Sequence, residues 1–264
     1  MTARMRILVI ILAGFAGVAC AFTANAQVMR WRIDGVQRDA LVFPLSKHAA
    51  TDKSPLLFAF HWHGGSMEEA AEGMRFQSLW PEAIVVYMQG MPTKIYVDPV
   101  GLERGWQFEP GHDGDRDLKF FDAVLTTMRA KFPVDDRRIY STGFSNGGIF
   151  TYVLWGARGN IFAAFAVVAA RLFPNIHLSE PKPILHIAGQ ADVVVPFKDQ
   201  LQTIKVARDL NGSSEKGKPC GEGCLTYESS KGAPVVTYIH SGGHVYPPHA
   251  SAMIVNFLKG YAIP

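Results

Sequence analysis

The sequence predicts an α/β protein with a mostly parallel central sheet and helices on both faces. Three observations predict this class. Short, almost entirely apolar runs recur along the chain, as in parallel strands that are buried on both sides. Segments with apolar residues at helical spacing separate these runs. An alternating segment, residues 29–43, precedes them and contains Asp34-Gly35, a pair typical of hairpin turns. We therefore expect an N-terminal antiparallel hairpin followed by alternating strands and helices.

The individual elements follow from these patterns. Apolar runs predict strands over 56–61, 83–88, 138–142, 162–170, 183–188 and 235–240. Helical spacing is clearest over 117–131, where apolar residues recur every three or four positions. The other predicted helices cover 149–155, 198–210 and 250–261. No linker divides residues 27–264, so we expect them to form a single domain, in keeping with the chain length.

The first 26 residues have the features of a cleaved signal peptide. Arg4 and Arg6 precede an apolar run, and Ala24-Asn25-Ala26 has the small-x-small form of a signal-peptidase site. The run is short for crossing ~30 Å of hydrocarbon. We expect an exported bacterial protein, secreted or periplasmic, that begins at Gln27 and has no membrane attachment after cleavage. Cys20 leaves a lipoprotein as the alternative.

Charge and cysteine content fit an exported protein. The whole chain has 26 Lys and Arg against 23 Asp and Glu, and the signal segment contains two of the arginines and no acid. The near-neutral remainder has no basic cluster that would predict nucleic-acid binding. Cys220 and Cys224 lie near one another, in and just after a polar stretch, residues 211–223, that predicts a loop. In an oxidising compartment we expect them to form a disulfide.

Gly143-x-Ser145-x-Gly147 is the strongest chemical motif. It lies where a predicted strand runs into a predicted helix, and its glycines permit a turn tight enough to expose a serine hydroxyl. Such a serine is a nucleophile if a base accepts its proton. The pattern alone also fits a glycine-rich turn with an unreactive serine, and the strand-to-helix context favours the nucleophile.

The partners of Ser145 follow from chain order, which in strand–turn–helix sites of this kind is serine, acid, histidine. His244 lies in a loop after the last predicted strand and is the preferred base, with His240 as its rival. Asp192 follows the strand 183–188 and is the preferred acid, its role being to accept the imidazole N–H. The alternative for Asp192 is an ordinary solvated turn residue.

The glycine-rich segment 61–65, His-Trp-His-Gly-Gly, follows the first central strand. A backbone N–H in such a turn can stabilise a developing oxyanion, together with the N–H of Asn146 after the serine. We choose His63 as the donor over Trp62 or Gly64. His61 and His63 also raise the alternative of a metal site. No third ligand is evident, so we expect neither a metal nor another cofactor.

Taken together, these motifs resemble those of secreted esterases of the α/β-hydrolase fold, grouped as polyhydroxybutyrate-depolymerase-like and feruloyl-esterase-like proteins. The resemblance runs from about Ile33 to the C-terminus. Its motifs are His-x-His-Gly-Gly at His61, Asp-x-x-Phe at Asp117, Gly-Phe-Ser-Asn-Gly-Gly at Gly143, Gln-Ala-Asp-x-Val-Val-Pro at Gln190 and Gly-Gly-His-x-Tyr-Pro at Gly242. It implies a catalytic triad of Ser145, Asp192 and His244.

The resemblance also implies a small-molecule, oligosaccharide or oligomer ester as substrate. We expect feruloyl or acetyl esters of plant polysaccharide fragments, since the chain carries no polymer-binding module. Esters of polyhydroxyalkanoates are the alternative, and a non-catalytic binding protein is the alternative of another class. Trp62, which replaces the usual glycine, and Trp106 are candidates for stacking on the substrate, with core packing as the alternative for both.

Overall fold

The computed structural model describes residues 26–44 and 53–264. The predicted signal peptide, apart from Ala26, and Cys20 lie outside the described residues. In chain order the strands are β1 (Gln27–Ile33), β2 (Val36–Phe43), β3 (Ser54–Phe60), β4 (Ile84–Met88), β5 (Met91–Pro92), β6 (Arg104–Gly105), β7 (Val134–Phe144), β8 (Ala164–Val168), β9 (Ile184–Gly189), β10 (Lys218–Gly221), β11 (Cys224–Tyr227) and β12 (Val235–His240). The helices are α1 (Met67–Met74), α2 (Phe76–Leu79), α3 (Arg116–Lys131), α4 (Asn146–Arg158), α5 (Phe197–Asn211) and α6 (Ala250–Leu258).

A ten-stranded sheet forms the centre, in the order β1-β2-β4-β3-β7-β8-β9-β12-β11-β10. The strands from β4 to β12 in this order run parallel, and antiparallel hairpins extend the sheet at both sides. Because parallel strands end at the same edge, the loops after β3, β7, β9 and β12 come together there. These loops carry the candidate site residues. The mostly parallel sheet and its N-terminal antiparallel hairpin confirm the predicted fold class.

Helices cover the sheet on both faces, which explains why its central strands are continuous apolar runs. All seven residues of β3 are buried. Leu56 and Phe58 face the core formed with α3, α4 and α5. Leu57 and Ala59 face the opposite core, formed with α1, α2 and α6. Among the described residues, no helix has the length and apolar character needed to cross a bilayer.

The N-terminal hairpin forms as predicted around Asp34 and Gly35. These residues have φ values of 48° and 83°, the left-handed conformation required at both positions of the favoured two-residue hairpin turn. The hairpin is joined to α3 by a buried ion pair, in which Arg38 Nη2 lies 2.6 Å from Asp117 Oδ1. Asp117 Oδ2 also accepts the backbone N–H of Gln107 at 2.8 Å. The aspartate of the Asp-x-x-Phe motif therefore fixes the segment that leads to the candidate site.

The structure corrects the predicted loop 211–223. Lys218–Gly221 forms β10, which pairs with β11 at the edge of the sheet. All four β10 residues are exposed, so the strand lacks the apolar pattern that predicts strands. Cys220 and Cys224 form a disulfide across this hairpin, as predicted. Helices α1 and α2 are also additions to the predicted elements.

Candidate active site

Ser145 lies in a strained turn between β7 and α4. Its φ of 55° and ψ of −120° are unusual for a residue with a side chain. The turn is held by the N–H of Ser145, which donates to Val168 O at 2.9 Å. A Cβ at Gly143 would overlap the backbone of Gly147, and a Cβ at Gly147 would overlap the backbone at Phe60. The two glycines of the motif are therefore required by close backbone approach.

His244 and Asp192 reach Ser145 from the loops after β12 and β9. His244 Nε2 lies 2.8 Å from Ser145 Oγ, and His244 Nδ1 lies 2.8 Å from Asp192 Oδ2. The carboxylate can only accept, so Nδ1 carries the proton and Nε2 is free to accept the serine hydroxyl. The structure thus brings the three predicted residues together in one hydrogen-bonded row.

Asp192 is buried, and each of its two carboxylate oxygens accepts two hydrogen bonds. Oδ1 accepts the backbone N–H groups of Val194 and Val195, both at 2.9 Å. Oδ2 accepts the side-chain amide of Gln200 at 3.0 Å in addition to His244. These four donors compensate for the hydration that the buried carboxylate loses. Asp192 is therefore no solvated turn residue.

His240, the rival base, has a different position. Its Nδ1 accepts the N–H of Gly242 at 3.1 Å. Its Nε2 is buried and has no hydrogen-bond partner among the described residues. Burial, followed by the nearby His249, lowers the pKa of His240. His240 thus helps to shape the turn before His244, and among the described residues its ring has no hydrogen bond to Ser145, which bonds His244 instead.

An aromatic side chain packs against the candidate base. The ring of Phe144 stacks on His244 with centroids 5.2 Å apart and 28° between the planes. Trp62 contacts the same phenylalanine, with ring centroids 5.9 Å apart. Phe144 precedes the serine within the glycine motif, a position where the motif itself specifies no residue type. Trp62 is half-buried beside the site, and its contact with a substrate stays a prediction.

The turn after β3 has only some of its backbone donors free. The N–H of Gly64 donates to Arg104 O at 2.7 Å, and that of Gly65 donates to Trp62 O at 3.0 Å. These bonds exclude Gly64 as an oxyanion donor and leave Trp62 and His63. Asn146 is the first residue of α4, so its backbone N–H belongs to the set that a helix leaves unsatisfied.

His61 is a structural residue of this turn. It is fully buried, with Nδ1 2.6 Å from Trp62 O and Nε2 accepting the N–H of Gly90 at 2.9 Å. These partners fix a neutral ring with its proton on Nδ1. Burial lowers the pKa of His61 to about 4, against the smaller opposing effect of the Trp62 carbonyl. Both ring nitrogens of His61 are thus used within the protein.

His63 connects the same turn to the loop 93–104. Its Nε2 lies 3.3 Å from Asp98 Oδ2. Asp98 also accepts the N–H groups of Glu103 and Gly101, at 2.8 and 2.9 Å. These N–H donors, that of Glu103 foremost, lower the pKa of Asp98. Among the described residues, no group of three His, Cys, Asp or Glu side chains is placed to hold a metal ion.

The prediction that Trp106 stacks on a substrate is wrong. Trp106 has no exposed surface, and its indole N–H donates to His61 O at 2.9 Å. Its ring stacks on Phe150, with centroids 5.5 Å apart. The side chain of Asn146 bonds the Trp106 backbone in both directions, at 2.7 and 3.1 Å. Trp106 is a core residue that joins the turn after β3 to the start of α4.

A parallel sheet covered on both faces, with a serine turn at the carboxyl end of a strand and histidine and aspartate beside it, defines an α/β hydrolase. No protein-family model matches the chain. Feruloyl esterase C of Emericella nidulans is 30% identical over 195 residues, which cover 72% of this chain and 69% of the relative. Probable feruloyl esterase C of Aspergillus terreus is 28% identical over 199 residues, 73% of this chain and 71% of the relative. The chain belongs to the feruloyl esterase family and is a carboxylic-ester hydrolase.

Solved structures agree on the fold. Acetyl xylan esterase from Aspergillus awamori superposes with a TM-score of 0.69 at 13% identity, covering 88% of this chain and 99% of that one. A ferulic acid esterase superposes with a TM-score of 0.61 at 15% identity, covering 89% of this chain and 97% of that one. At this identity the likeness shows the fold alone.

Proposed function

We propose that the chain is a secreted serine esterase that cleaves feruloyl or acetyl esters of plant polysaccharide fragments through an acyl-enzyme intermediate. One observation carries the proposal. The two 2.8 Å hydrogen bonds from Ser145 to His244 and from His244 to Asp192 are the contacts that such a mechanism requires.

In the acylation step, Ser145 Oγ attacks the carbonyl carbon of the ester. His244 Nε2 accepts the hydroxyl proton as the new bond forms, which makes the imidazole a cation. Asp192 stabilises that cation and holds the ring through Nδ1–H. The negative charge moves to the former carbonyl oxygen, where the backbone N–H groups of Asn146 and His63 donate to it.

The tetrahedral species then collapses. His244 gives its proton to the alcohol oxygen, the bond between that oxygen and the acyl carbon breaks, and the acyl group stays on Ser145. Water then takes the place of the alcohol, and His244 accepts its proton. The second collapse returns the proton to Ser145 Oγ and releases the carboxylic acid, so the protein is unchanged after each turnover.

Exposed apolar side chains beside the site support an ester with an apolar or aromatic part. Val193 and Val245 directly follow the candidate acid and base, and both are exposed. The loop tied to His63 carries Tyr96, which is 99% exposed, and the exposed Leu102. Exposed apolar side chains that lie together at a site can contact an apolar ligand, and a hydroxycinnamoyl group has matching chemistry. The names of the sequence relatives, feruloyl esterases, agree with an aromatic acyl group.

Export is part of the proposal. Strand β1 begins at Gln27, the residue that the predicted cleavage would make the first, and Gln27 pairs with Val42. Cleavage after Ala26 would therefore leave the whole hairpin in place. N-terminal sequencing of the protein recovered from the periplasm and the medium tests this part, with Gln27 as the expected first residue.

A substrate panel tests the activity. Methyl ferulate, acetylated xylan and hydroxybutyrate oligomers are compared by kcat/KM, with Ser145→Ala as the blank. We expect methyl ferulate or acetylated xylan to be turned over fastest. Fastest turnover of the hydroxybutyrate oligomers would identify a polyester hydrolase. Absence of Ser145-dependent turnover on all three would leave a non-catalytic protein or another ester class.

A loop variant tests the acyl group. Changing Tyr96 and Leu102 together to serine should lower kcat/KM for methyl ferulate by about 10-fold if one of them contacts the acyl group and by about 100-fold if both do, since burial of each side chain against a ligand contributes about 1.5 kcal/mol. Turnover of a small acetyl ester should change little. Leu201→Ser, which alters an exposed leucine on α5, is the matched control. An equal loss on both esters would argue against an aromatic-acyl site at this loop.

A further inference from the structure

A row of buried polar side chains extends behind Asp192, away from Ser145. Gln200 on α5 donates its side-chain N–H to Asp192 Oδ2 at 3.0 Å and to Val195 O at 2.7 Å. Its Oε1 lies 3.3 Å from Nε2 of His186 on β9. Nδ1 of the same histidine lies 2.7 Å from the hydroxyl of Tyr152 on α4. Gln200, His186 and Tyr152, hereafter the buried row, are each no more than 1% exposed.

The hydrogen bonds of the buried row run in one direction. Both neighbours of the Gln200 Nε2 group are acceptors, so the amide must point its NH₂ at Asp192 and its oxygen at His186. His186 must then donate from Nε2, which leaves Nδ1 to accept the Tyr152 hydroxyl. Burial, partly opposed by the hydrogen bond to Gln200, lowers the pKa of His186 to about 4. The ring is therefore neutral and can donate from Nε2 while it accepts at Nδ1. Tyr152, His186 and Gln200 therefore each donate one hydrogen bond towards Asp192, and the second amide hydrogen of Gln200 goes to Val195 O.

The order of these hydrogen bonds fixes how Gln200 contacts the Asp192 carboxylate. Gln200 could turn its amide oxygen towards Asp192 only by facing two acceptors, and His186 disfavours that rotation by donating to Oε1. Buried polar groups that find no partner cost about 1–3 kcal/mol each, so the buried row has one favoured arrangement. The Asp192 oxygen that receives Gln200 is also the one that receives His244. The position of that oxygen thus depends on Gln200.

We propose that Gln200 is a positioning residue for the esterase reaction. It fixes Asp192 Oδ2 so that His244 presents Nε2 to Ser145, and His186 and Tyr152 hold the Gln200 amide in its donating orientation. The proposal rests on the proposed function, because the row acts through the Asp192–His244–Ser145 contacts. Neither Gln200 nor the residues behind it touch the substrate, so they act on kcat and not on substrate binding.

Gln200→Met tests the inference, because methionine keeps the length of the side chain and removes the donor. We expect kcat on methyl ferulate, or on the best ester of the panel, to fall about 10- to 100-fold, the loss typical of a hydrogen bond to a charged group. KM should stay within about twofold. Tyr152→Phe, which acts two side chains away, should lower kcat by a smaller factor of about 2 to 5.

Thr203→Val is the matched control. Thr203 is a buried polar residue one turn along α5, and its hydroxyl bonds Leu172 N and Asp199 O, both away from Asp192. Its loss should lower stability and leave kcat unchanged at temperatures where the variant is folded. A similar loss of kcat in Thr203→Val and Gln200→Met would reduce Gln200 to a structural residue and overturn the inference.

Gln200→Glu gives a readout that a structural role would not change. The introduced carboxyl faces Asp192 and His186, with His244 and Tyr152 one bond further on. Two adjacent carboxyl groups resist ionising together, so at pH 6 the new group keeps a proton and can donate to Asp192. Near pH 9 it is ionised and repels Asp192. The kcat of this variant relative to the wild type should therefore fall as pH rises, whereas the Gln200→Met ratio stays flat.

The outcomes separate this inference from the proposed function. Unchanged kcat in Gln200→Met, or a flat ratio for Gln200→Glu, overturns the positioning role when the wild type shows Ser145-dependent turnover. A wild type without such turnover on any ester of the panel overturns the proposed function instead, and with it the basis of this inference.

Discussion

The two halves of the candidate active site use different chemical groups, side chains in one half and backbone N–H groups in the other. On the acid–base side, Ser145, His244 and Asp192 meet through their side chains, at 2.8 Å for each contact. On the oxyanion side, the segment 61–65 offers backbone N–H groups, which every residue except proline has. The residue type determines the chemistry of a side chain, whereas the backbone conformation determines whether an N–H group is free to donate. The first half can therefore be located by motif and the second only by its hydrogen bonds.

The two halves also treat charge differently. Asp192 is a buried carboxylate surrounded by neutral donors, and it faces His244, which the proposed mechanism makes cationic. The oxyanion side contains a buried histidine, His61, that both partners hold neutral. A neutral ring there keeps the backbone of the turn fixed without adding a charge near the developing oxyanion. Substitutions of His244 and of Asp98 act on one half each and leave the other half intact.

The largest effect is expected on the acid–base side. His244→Gln removes the proton acceptor of Ser145 and should lower kcat about 10³-fold or more. His240→Gln should leave kcat within about 10-fold, because the His240 imidazole hydrogen-bonds the turn before the candidate base and not Ser145. Purified variants assayed on one ester decide between them. The reverse order of losses would assign the base to His240.

Stability should depend on pH through one histidine on each side. The pKa values of His61 and His186 lie at about 4 in the folded protein, below the ordinary 6.5, because burial disfavours the charged ring. The unfolded chain therefore binds protons first as pH falls. As the pH falls from 6.5 to 5, the free energy of unfolding should decrease by about 2 kcal/mol for each histidine. The stabilisation that each neutral ring provides is complete only above pH 6.5.

Urea unfolding at pH 7 and pH 5 measures this loss. Replacing His186 with glutamine should remove about 2 kcal/mol of the difference between the two pH values, since glutamine does not titrate. His61→Gln tests the oxyanion side in the same way. If either variant kept the full pH dependence of the wild type, the neutral buried state assigned to that histidine would be wrong.

A smaller effect on activity is expected on the oxyanion side. Asp98→Ala removes the acceptor that ties His63 to the loop 93–104 and should lower kcat/KM about 10-fold, well below the loss of a triad member. Asp136→Ala, which removes an exposed ion pair with Arg129, is the matched control and should leave activity unchanged. Equal activity of the two variants would show that this loop does not position the oxyanion turn.

The smallest effect is expected from the disulfide. The Cys220–Cys224 bridge closes a loop of only five residues, so the chain-entropy model allows no more than about 2 kcal/mol. Reduction should lower the melting temperature by a few degrees and leave activity within about twofold, since both triad contacts lie outside the hairpin. Intact-mass measurement after alkylation checks the bridge first. Labelling of two thiols without reduction would contradict it.

The sequence predicted most of the fold because the central strands and α3 have strong apolar patterns. It missed β10, whose residues are exposed at a sheet edge, and it kept Trp106 as a candidate for substrate stacking beside the alternative of core packing, although the indole is fully buried. Neither error could be avoided from residue types, because a tryptophan suits a core and a binding surface equally well. Gln200 was missed for a related reason. Its role comes from contacts across α5, β9 and α4, and no local motif specifies such contacts.

The central claim is that Ser145 is the nucleophile of an esterase. Labelling with a fluorophosphonate, followed by peptide mass spectrometry, tests it most directly because the reagent forms a stable adduct with an activated serine. We expect one adduct per chain, on the peptide that contains Ser145, and none in Ser145→Ala, whose ester hydrolysis should fall about 10³-fold or more. An adduct on another residue, or a tenth of the activity remaining in Ser145→Ala, would contradict the claim.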